Sequence, residues 1–388
     1  WEAYNDWGGF DGRIGLYQWN NLHEENNINN YKIYELNSHK SSTVNFNRPN
    51  YWINQEIHEI SVPHSREQIY GALHTYHTSH LLIGEIYLLK WLDSINYSYN
   101  IISDCDLDQD MNILSEYKML MLNCHSEYWT LNMYKNVLNY SSVGGNIISL
   151  SGNTMYWYSE ISNNKLEVRK DNSNHTLLTN GIGGLWKNIS NDITSLPLPS
   201  LLIGVEYHIE SFSYGEGWPY KIIDNKKNLD TNTSWIFDNV DGLVVGQDSF
   251  NTHPNNTLVG ASGWEVDRCV IGEEFIIAKA ESTDPVYTND IIYLVNNYNS
   301  KIFNCGSIRY TGALQKEVQI DIITKNVIDR FLEDTDDKII IQRSNEWFSN
   351  NPIFTGSTLK YILDNLENKS YDEMQEIITN TLSVEYNN

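Results

Sequence analysis

The spacing of apolar residues along the chain changes between a helical period and a strand-like one. From residue 65 to residue 92, the stretch SREQIYGALHTYHTSHLLIGEIYLLKWL places apolar residues every three or four positions, which predicts a helix. The next stretch, INYSYNIISDCDL, predicts a strand that leads into an acidic loop. YKMLMLN is then a continuous apolar run, which is typical of a strand covered on both faces.

A second helix and strand follow immediately. TLNMYKNVLNYSSVGG has helical spacing and ends in Gly144 and Gly145, residues that commonly terminate helices, and NIISLSGN predicts the next strand. This alternation predicts an α/β fold with a parallel sheet flanked by helices. Because such sheets bind ligands at the carboxyl ends of their strands, we expect a site where YKMLMLN and NIISLSGN end.

The pattern loosens after residue 163 into short strand-like pieces separated by turns. These pieces predict an additional β-rich region over about residues 163–285. Helical spacing returns in ITKNVIDRFLED and again near the end of the chain, in STLKYILDNLENKSYDEMQEIITNTL. We interpret the chain as one α/β domain over residues 1–340, which includes the β-rich region, followed by a C-terminal helical extension over residues 341–388.

Composition and charge narrow the possible partners. The 388 residues are 40% hydrophobic and include 12 tryptophans, which is ample material for a sizeable core. A formal net charge of -24 disfavours nucleic acid and anionic membranes, since both need clustered Lys and Arg on their protein partner. No apolar run approaches the roughly 18 residues of a membrane span, so we expect a globular, cytoplasmic protein.

Polar side chains stand where the two apolar strands end. His125 and Glu127 follow the first strand, and the period of two places both on the same side of the chain. Asn153 and Tyr156 follow the second strand. These residues could converge on one ligand or ion. The alternative is structural: Glu127 caps the next helix and His125 satisfies a backbone carbonyl.

A third polar stretch, GASGWEVDR, lies much later in the chain. It places Glu265 and Asp267 on one side of the backbone after a glycine-rich turn. Taken alone, this stretch is best interpreted as an exposed acidic turn.

Several of these stretches together carry a family pattern. In chain order they are AYNDWGG, NFNRPNYW, LLKWLDSINYSYNIISDCDLD, HSEYWT, GGNIISLSGNTMYW, GLWKNI, GWEVDR, NCGSIRYTGAL and ITKNVIDRF. They resemble the C-terminal domain of the large (beta) subunit of N,N-dimethylformamidase and its relatives, over residues 1 to about 332. HSEYW together with GGNIISLSGNTMYW is the most specific part of the resemblance.

The resemblance implies a fold similar to class I glutamine amidotransferases and a mononuclear Fe(III) held by two tyrosinates and one carboxylate. Tyr4 in AYNDWGG matches the first tyrosine ligand, and Glu127 matches the carboxylate. The family's Arg-Pro-Tyr stretch reads RPNY here, so Asn50 stands at the tyrosine position. Tyr51, one place later, is the candidate second tyrosine ligand.

The resemblance also assigns roles around the metal. His125 and Asn153 match polar residues that line the pocket, and Glu265 matches a carboxylate close to the metal that could act as general base. Four aromatic residues are candidates for the apolar walls of a pocket for small amides: Tyr128, Trp129, Tyr156 and Trp264.

We therefore expect an iron-dependent amidohydrolase that cleaves the C–N bond of a small amide to an amine and a carboxylate. The family suggests a small partner subunit and a homo-oligomer. The alternative is a non-catalytic carbohydrate-binding or structural module on the same fold, and the shifted RPNY stretch keeps that alternative open. Metal content distinguishes the two hypotheses.

Overall fold

The computed structural model describes residues 43–45, 80–169, 174–179, 181–189, 196–250, 260–283, 286–332 and 339–343. The described helices are α1 (His80–Ser94), α2 (Asp104–Gln109), α3 (Leu131–Ser142), α4 (Trp186–Ile189), α5 (Pro199–Ile203), α6 (Asp224–Asn228), α7 (Tyr310–Ala313) and α8 (Val318–Leu332). The described strands are β1 (Thr43–Asn45), β2 (Tyr99–Ser103), β3 (Met119–Cys124), β4 (Tyr128–Trp129), β5 (Asn146–Ser151), β6 (Trp157–Ser162), β7 (Lys165–Val168), β8 (Val205–Trp218), β9 (Tyr220–Ile222), β10 (Val244–Val245), β11 (Ser262–Cys269), β12 (Ile276–Thr283), β13 (Val286–Val295), β14 (Lys301–Asn304) and β15 (Ile339–Arg343).

A nine-stranded mixed sheet forms the centre of the molecule, in the order β10-β9-β12-β13-β14-β5-β3-β15-β2. The strands from β14 to β2 pair in parallel, and those from β10 to β14 pair antiparallel. Every residue of β3 and β5 is buried. Such continuous burial is expected of central parallel strands, because helices cover both of their faces.

Alternate side chains of β3 enter two different hydrophobic clusters. Met119 and Met121 pack in one cluster with residues of α1 and α8. Leu120 and Leu122 pack in the other with residues of α3. Successive side chains of a strand point to opposite faces, so helices cover both faces of the sheet at β3. The sheet as a whole is mixed rather than parallel, because β10, β9, β12, β13 and β14 pair antiparallel.

Two smaller sheets flank the central one. The first has four strands in the order β1-β7-β6-β4, and the second pairs β11 with β8. β4 begins one residue after Glu127, and β11 contains Glu265. Both small sheets are therefore connected directly to candidate site residues.

Three local features differ from the simplest interpretation of the sequence. The acidic stretch after β2 is the helix α2 rather than a loop, because Ser103 and Asp106 form a capping box at its start. Within the predicted β-rich region, β9, β10 and β12 extend the central sheet. The predicted boundary between residues 340 and 341 falls inside β15, which lies between β3 and β2.

The likeness to class I glutamine amidotransferases stays a prediction. Within the described ranges, no helix combines the length and the apolar character needed to cross a bilayer.

Candidate active site

Two neighbouring strand ends bring the first site residues together. β3 and β5 are parallel, and Cys124 at the end of β3 lies opposite Ser151 at the end of β5. His125 follows β3, while Gly152 and Asn153 follow β5. These candidate residues therefore lie at the carboxyl edge of the parallel strands.

His125 lies between two carboxylates in the protein interior. Its Nε2 atom is 3.1 Å from an oxygen of Glu127 and 3.4 Å from an oxygen of Glu265. Its Nδ1 atom is 2.9 Å from the carbonyl oxygen of Gly152. Burial alone lowers the pKa of His125, but the Glu265 and Glu127 carboxylates and the Gly152 carbonyl outweigh it and raise the pKa to about 9.

Glu265 reaches this position on β11, from the two-stranded sheet. Its side chain is buried, and its Oε2 atom accepts a hydrogen bond of 2.9 Å from the side-chain amide of Asn153. Interpreting GASGWEVDR as an exposed acidic turn is therefore wrong, because pairing with β8 carries the stretch into the interior. The structure brings together four sequence-predicted site residues: His125, Glu127, Asn153 and Glu265.

Asp267 holds the Asn153 backbone in place. One of its carboxylate oxygens accepts the Asn153 amide at 2.8 Å, and the other accepts the Thr154 amide at 3.4 Å. Burial raises the pKa of Asp267 to about 7, although these backbone amides partly oppose the increase. Asp267 thus fixes the turn that aims the Asn153 side chain at Glu265.

Backbone strain occurs on all three segments that carry site residues. Cys124, Asn153 and Trp264 have φ angles of 58°, 53° and 69°. Asparagine tolerates this left-handed region, but cysteine and tryptophan rarely adopt it. Cys124 and Trp264 directly precede His125 and Glu265 and pack together with Ile308. Strain of this kind concentrates at functional sites.

The structural alternative for His125 and Glu127 is right in one part only. His125 does contact a backbone carbonyl, that of Gly152. Glu127, however, does not cap the following helix, because the side chain of Thr130 accepts the capping bond from the Met133 amide. Glu127 instead directs its carboxylate towards His125.

The described part of the site offers a compact set of metal-binding atoms. One ligand atom each from His125, Glu127 and Glu265 lies within 4.8 Å of the others, and all three residues are buried. Two carboxylates supply hard, anionic oxygen, which suits a hard cation. The predicted ligands Tyr4 and Tyr51 lie outside the described residues, as does Asn50.

The predicted aromatic walls occupy different surroundings. Trp129 is fully buried, and its indole N–H donates to the Ser126 carbonyl, so this ring belongs to the core. Tyr156 lines a cleft beside the turn that follows Asn153. The other lining residues of this cleft are Thr154, Met155, Leu185, Lys187, Pro199, Ser200, Val205, Glu206 and Tyr207.

Gly152 is a site residue to which the sequence assigned no role. A Cβ atom there would lie 2.1 Å from the Glu265 carbonyl oxygen and 2.9 Å from the Ile308 amide nitrogen. Only a glycine permits β11 to approach the end of β5 this closely. The feature of the sequence that could have indicated this role is the position of the glycine immediately after a buried strand.

The sequence of this chain matches a known protein family and two named relatives. Residues 1–323 match a family model described as N,N-dimethylformamidase beta subunit-like, C-terminal. The chain is 23% identical to the N,N-dimethylformamidase beta subunit of an Alcaligenes species and 22% identical to that of Paracoccus aminophilus. Each alignment covers 65% of this chain and 37% of the relative, so the chain matches well under half the length of these relatives.

Proposed function

Because this chain belongs to the family of N,N-dimethylformamidase beta subunit-like C-terminal domains, we propose that it is the catalytic domain of an amidohydrolase. The reaction is hydrolysis of the C–N bond of a small amide such as N,N-dimethylformamide, which yields an amine and a carboxylate. One observation carries the proposal: the buried imidazole of His125 lies between the carboxylates of Glu127 and Glu265.

The proposed cofactor is a single Fe(III). Glu127 would hold it together with Tyr4 and Tyr51, and the oxygen-rich donor set around His125 fits a hard trivalent ion. When bound, the ion supplies Lewis acidity, which polarises an amide carbonyl and acidifies water.

The remaining residues handle protons and orientation. Glu265 would accept a proton from the attacking water, and the side-chain amide of Asn153, which donates to Glu265, would keep that carboxylate oriented. His125 would donate a proton to the departing amine nitrogen. Burial of this cluster excludes bulk water and strengthens each electrostatic contact.

The proposal extends to a partner. The two relatives are named as beta subunits, so we propose that the protein containing this chain assembles with a second kind of subunit. We also propose a homo-oligomer, and this part rests on the family resemblance alone. Activity of this chain would then depend on that assembly. Iron content needs no turnover and can therefore be measured on the isolated chain.

The proposal is tested by iron content and amide hydrolysis on the same preparation. The iron-loaded chain should hold about one iron, absorb visible light through tyrosinate-to-iron charge transfer, and release dimethylamine and formate from N,N-dimethylformamide. Glu265→Gln should keep the iron and lower kcat by about 10²–10⁴-fold, the range typical of losing a general base. Glu281→Gln, at an exposed carboxylate, is the matched control.

Two results would argue against the proposal. A colourless chain that takes up no iron would remove the cofactor. An iron-loaded chain in its assembly that hydrolyses no small amide would support the non-catalytic carbohydrate-binding or structural alternative.

A further inference from the structure

A second cluster of metal-type ligands lies on the four-stranded sheet. Glu160 in β6 and Glu167 in β7 face each other directly across the antiparallel pair. His175, from the segment over residues 174–179, completes the group, and one ligand atom from each residue lies within 4.8 Å of the others. The exposed fractions of the three residues are 2%, 0% and 0%. Two like charges directly opposite in a buried strand pair are destabilising unless a cation compensates them.

The His175 ring faces both carboxylates without bonding to either. Its Nδ1 atom is 3.7 Å from Oε2 of Glu160 and 3.6 Å from Oε2 of Glu167. An N–H···O hydrogen bond needs about 2.7–3.2 Å. Among the described residues, neither ring nitrogen of His175 has a hydrogen-bond partner. A fully buried imidazole that satisfies neither nitrogen calls for another ligand.

The spacing of these atoms matches the edge of a metal coordination shell. Zinc bonds to nitrogen and carboxylate oxygen are about 2.0–2.2 Å long, so two tetrahedral ligands of one ion lie roughly 3.3–3.6 Å apart. Of the two separations in this cluster, 3.6 Å lies at the upper limit of that range and 3.7 Å lies just above it. We propose that Glu160, Glu167 and His175 form a structural site for one divalent ion of the zinc type.

The charges around the cluster leave room for such an ion. The Arg169 guanidinium donates to Oε1 of Glu167, which compensates one of the two carboxylates. The backbone amides of Leu177 and Leu178 donate to Oε2 of Glu167 and Oε2 of Glu160. Oε2 of Glu167 also accepts the Thr176 amide at 2.9 Å, and Oε2 of Glu160 also accepts the Thr179 amide at 3.4 Å, so an ion on these two oxygens would replace one backbone hydrogen bond on each. The second negative charge has no such guanidinium partner among the described residues.

The ion would stabilise the four-stranded sheet that is connected to the candidate active site through β4. It would bind the segment that carries His175 to the β6–β7 hairpin, and β6 pairs in parallel with β4. The ring of Tyr158, in β6, packs edge-on against both His175 and Trp186. This site is separate from the His125 cluster and does not depend on the proposed function.

The experiment uses Zn²⁺ itself on the complete chain after removal of metals with a chelator. Glu127→Gln is the background, because it disables the other candidate cluster. We expect one tightly bound Zn²⁺ per chain in this variant, and a rise of roughly 3 °C in melting temperature at a hundredfold excess of Zn²⁺ over its Kd. Adding His175→Gln should abolish both. Zn²⁺ uptake that persists without His175 would overturn the proposal.

A spectroscopic measurement keeps the proposal testable if the His175 variant does not fold. In ¹⁵N NMR of zinc-loaded Glu127→Gln protein, His175 should show metal on Nδ1. His125 is distinguishable, because its Nδ1 contacts the Gly152 carbonyl and only its Nε2 faces carboxylates. A His175 ring with protons on both nitrogens in zinc-saturated protein would show that a protonated imidazole compensates the carboxylates, and would refute the site.

Discussion

At the scale of single residues, the close approach at Gly152 is the tightest constraint on the site. Gly152→Ala would press a methyl group against the backbone of Glu265 and Ile308, and neither backbone can move aside as a flexible side chain can. We expect a loss of about 1–3 kcal/mol in the free energy of unfolding, the usual cost of overpacking, together with a large loss of hydrolysis. Denaturant unfolding and amide turnover measure the two effects.

A second glycine provides the control for this substitution. Gly242 also has a positive φ, of 67°, but nothing lies within 4 Å of a Cβ atom added there. Gly242→Ala should therefore cost only the roughly 1 kcal/mol of an unfavourable backbone conformation and leave turnover unchanged. Equal losses of turnover in both variants would contradict the steric explanation.

His125 and Glu127 touch each other but should fail in different ways when substituted. Glu127→Gln removes a proposed anionic ligand and should abolish iron binding. His125→Gln should retain iron and reduce kcat by at least tenfold. A residue that contacts a metal ligand without binding the metal affects the reactivity of the site, whereas the ligands themselves retain the ion. Iron analysis and steady-state kinetics on each variant check this, and equal loss of iron would show that His125 binds the metal itself.

At the scale of elements, helix α3 begins directly behind the site. Thr130 accepts the Met133 amide through its hydroxyl and donates that hydroxyl to Asp108. Thr130→Ala should lower the free energy of unfolding by about 1 kcal/mol, the typical value of a helix N-cap, while Thr130→Ser should keep most of it. Urea unfolding of both variants tests this. A Thr130→Ala protein with an unchanged free energy of unfolding would mean that packing alone fixes the start of α3.

The short strand β15, which lies between β3 and β2 near one edge of the central sheet, is joined to the site segment by side-chain hydrogen bonds. Gln342 in β15 accepts a hydrogen bond from Ser126 and donates one to Asp104 in α2. These bonds join the strand to the stretch that carries His125 and Glu127. The polar side chain of β15 thereby connects segments 216 and 238 positions away in sequence.

At the scale of the whole molecule, Asp104 should make stability depend on pH. Burial raises its pKa from 3.8 to about 7 in the folded protein. Because the pKa of Asp104 is higher in the folded protein than in the unfolded chain, binding of this proton stabilises the folded state. This contribution is fully present below the unfolded pKa near 4 and is lost as the pH rises through about 7. We therefore expect the free energy of unfolding to fall between pH 4.5 and pH 7.5.

Asp104→Asn should make this fall shallower, because an amide cannot titrate, while Asp267, whose pKa burial also raises to about 7, keeps its own contribution. Asp241→Asn, at an exposed aspartate, is the control and should leave the dependence unchanged. Urea unfolding at several pH values is the measurement. An unchanged slope in Asp104→Asn would assign the pH dependence to other groups.

Local sequence was sufficient for several of the elements and for the position of three of the four site residues that the structure brings together. The apolar run of β3 and the helical spacing of α3 and α8 encode burial, and burial selects strand or helix. The position of His125, Glu127 and Asn153 at strand ends followed from the same pattern, since parallel strands place their carboxyl ends at one edge. The relation to the dimethylformamidase family was also visible in short stretches of sequence.

Only the tertiary structure decided which distant segments meet. Glu265 bonds to Asn153 across 112 positions, and nothing in GASGWEVDR itself distinguishes a buried strand from an exposed turn. Likewise, the pairing of Glu160 opposite Glu167, with His175 beside them, depends on strand register and on the course of the following segment. Periodicity records how a residue is buried, whereas register and long-range pairing depend on the whole sheet and leave no local period.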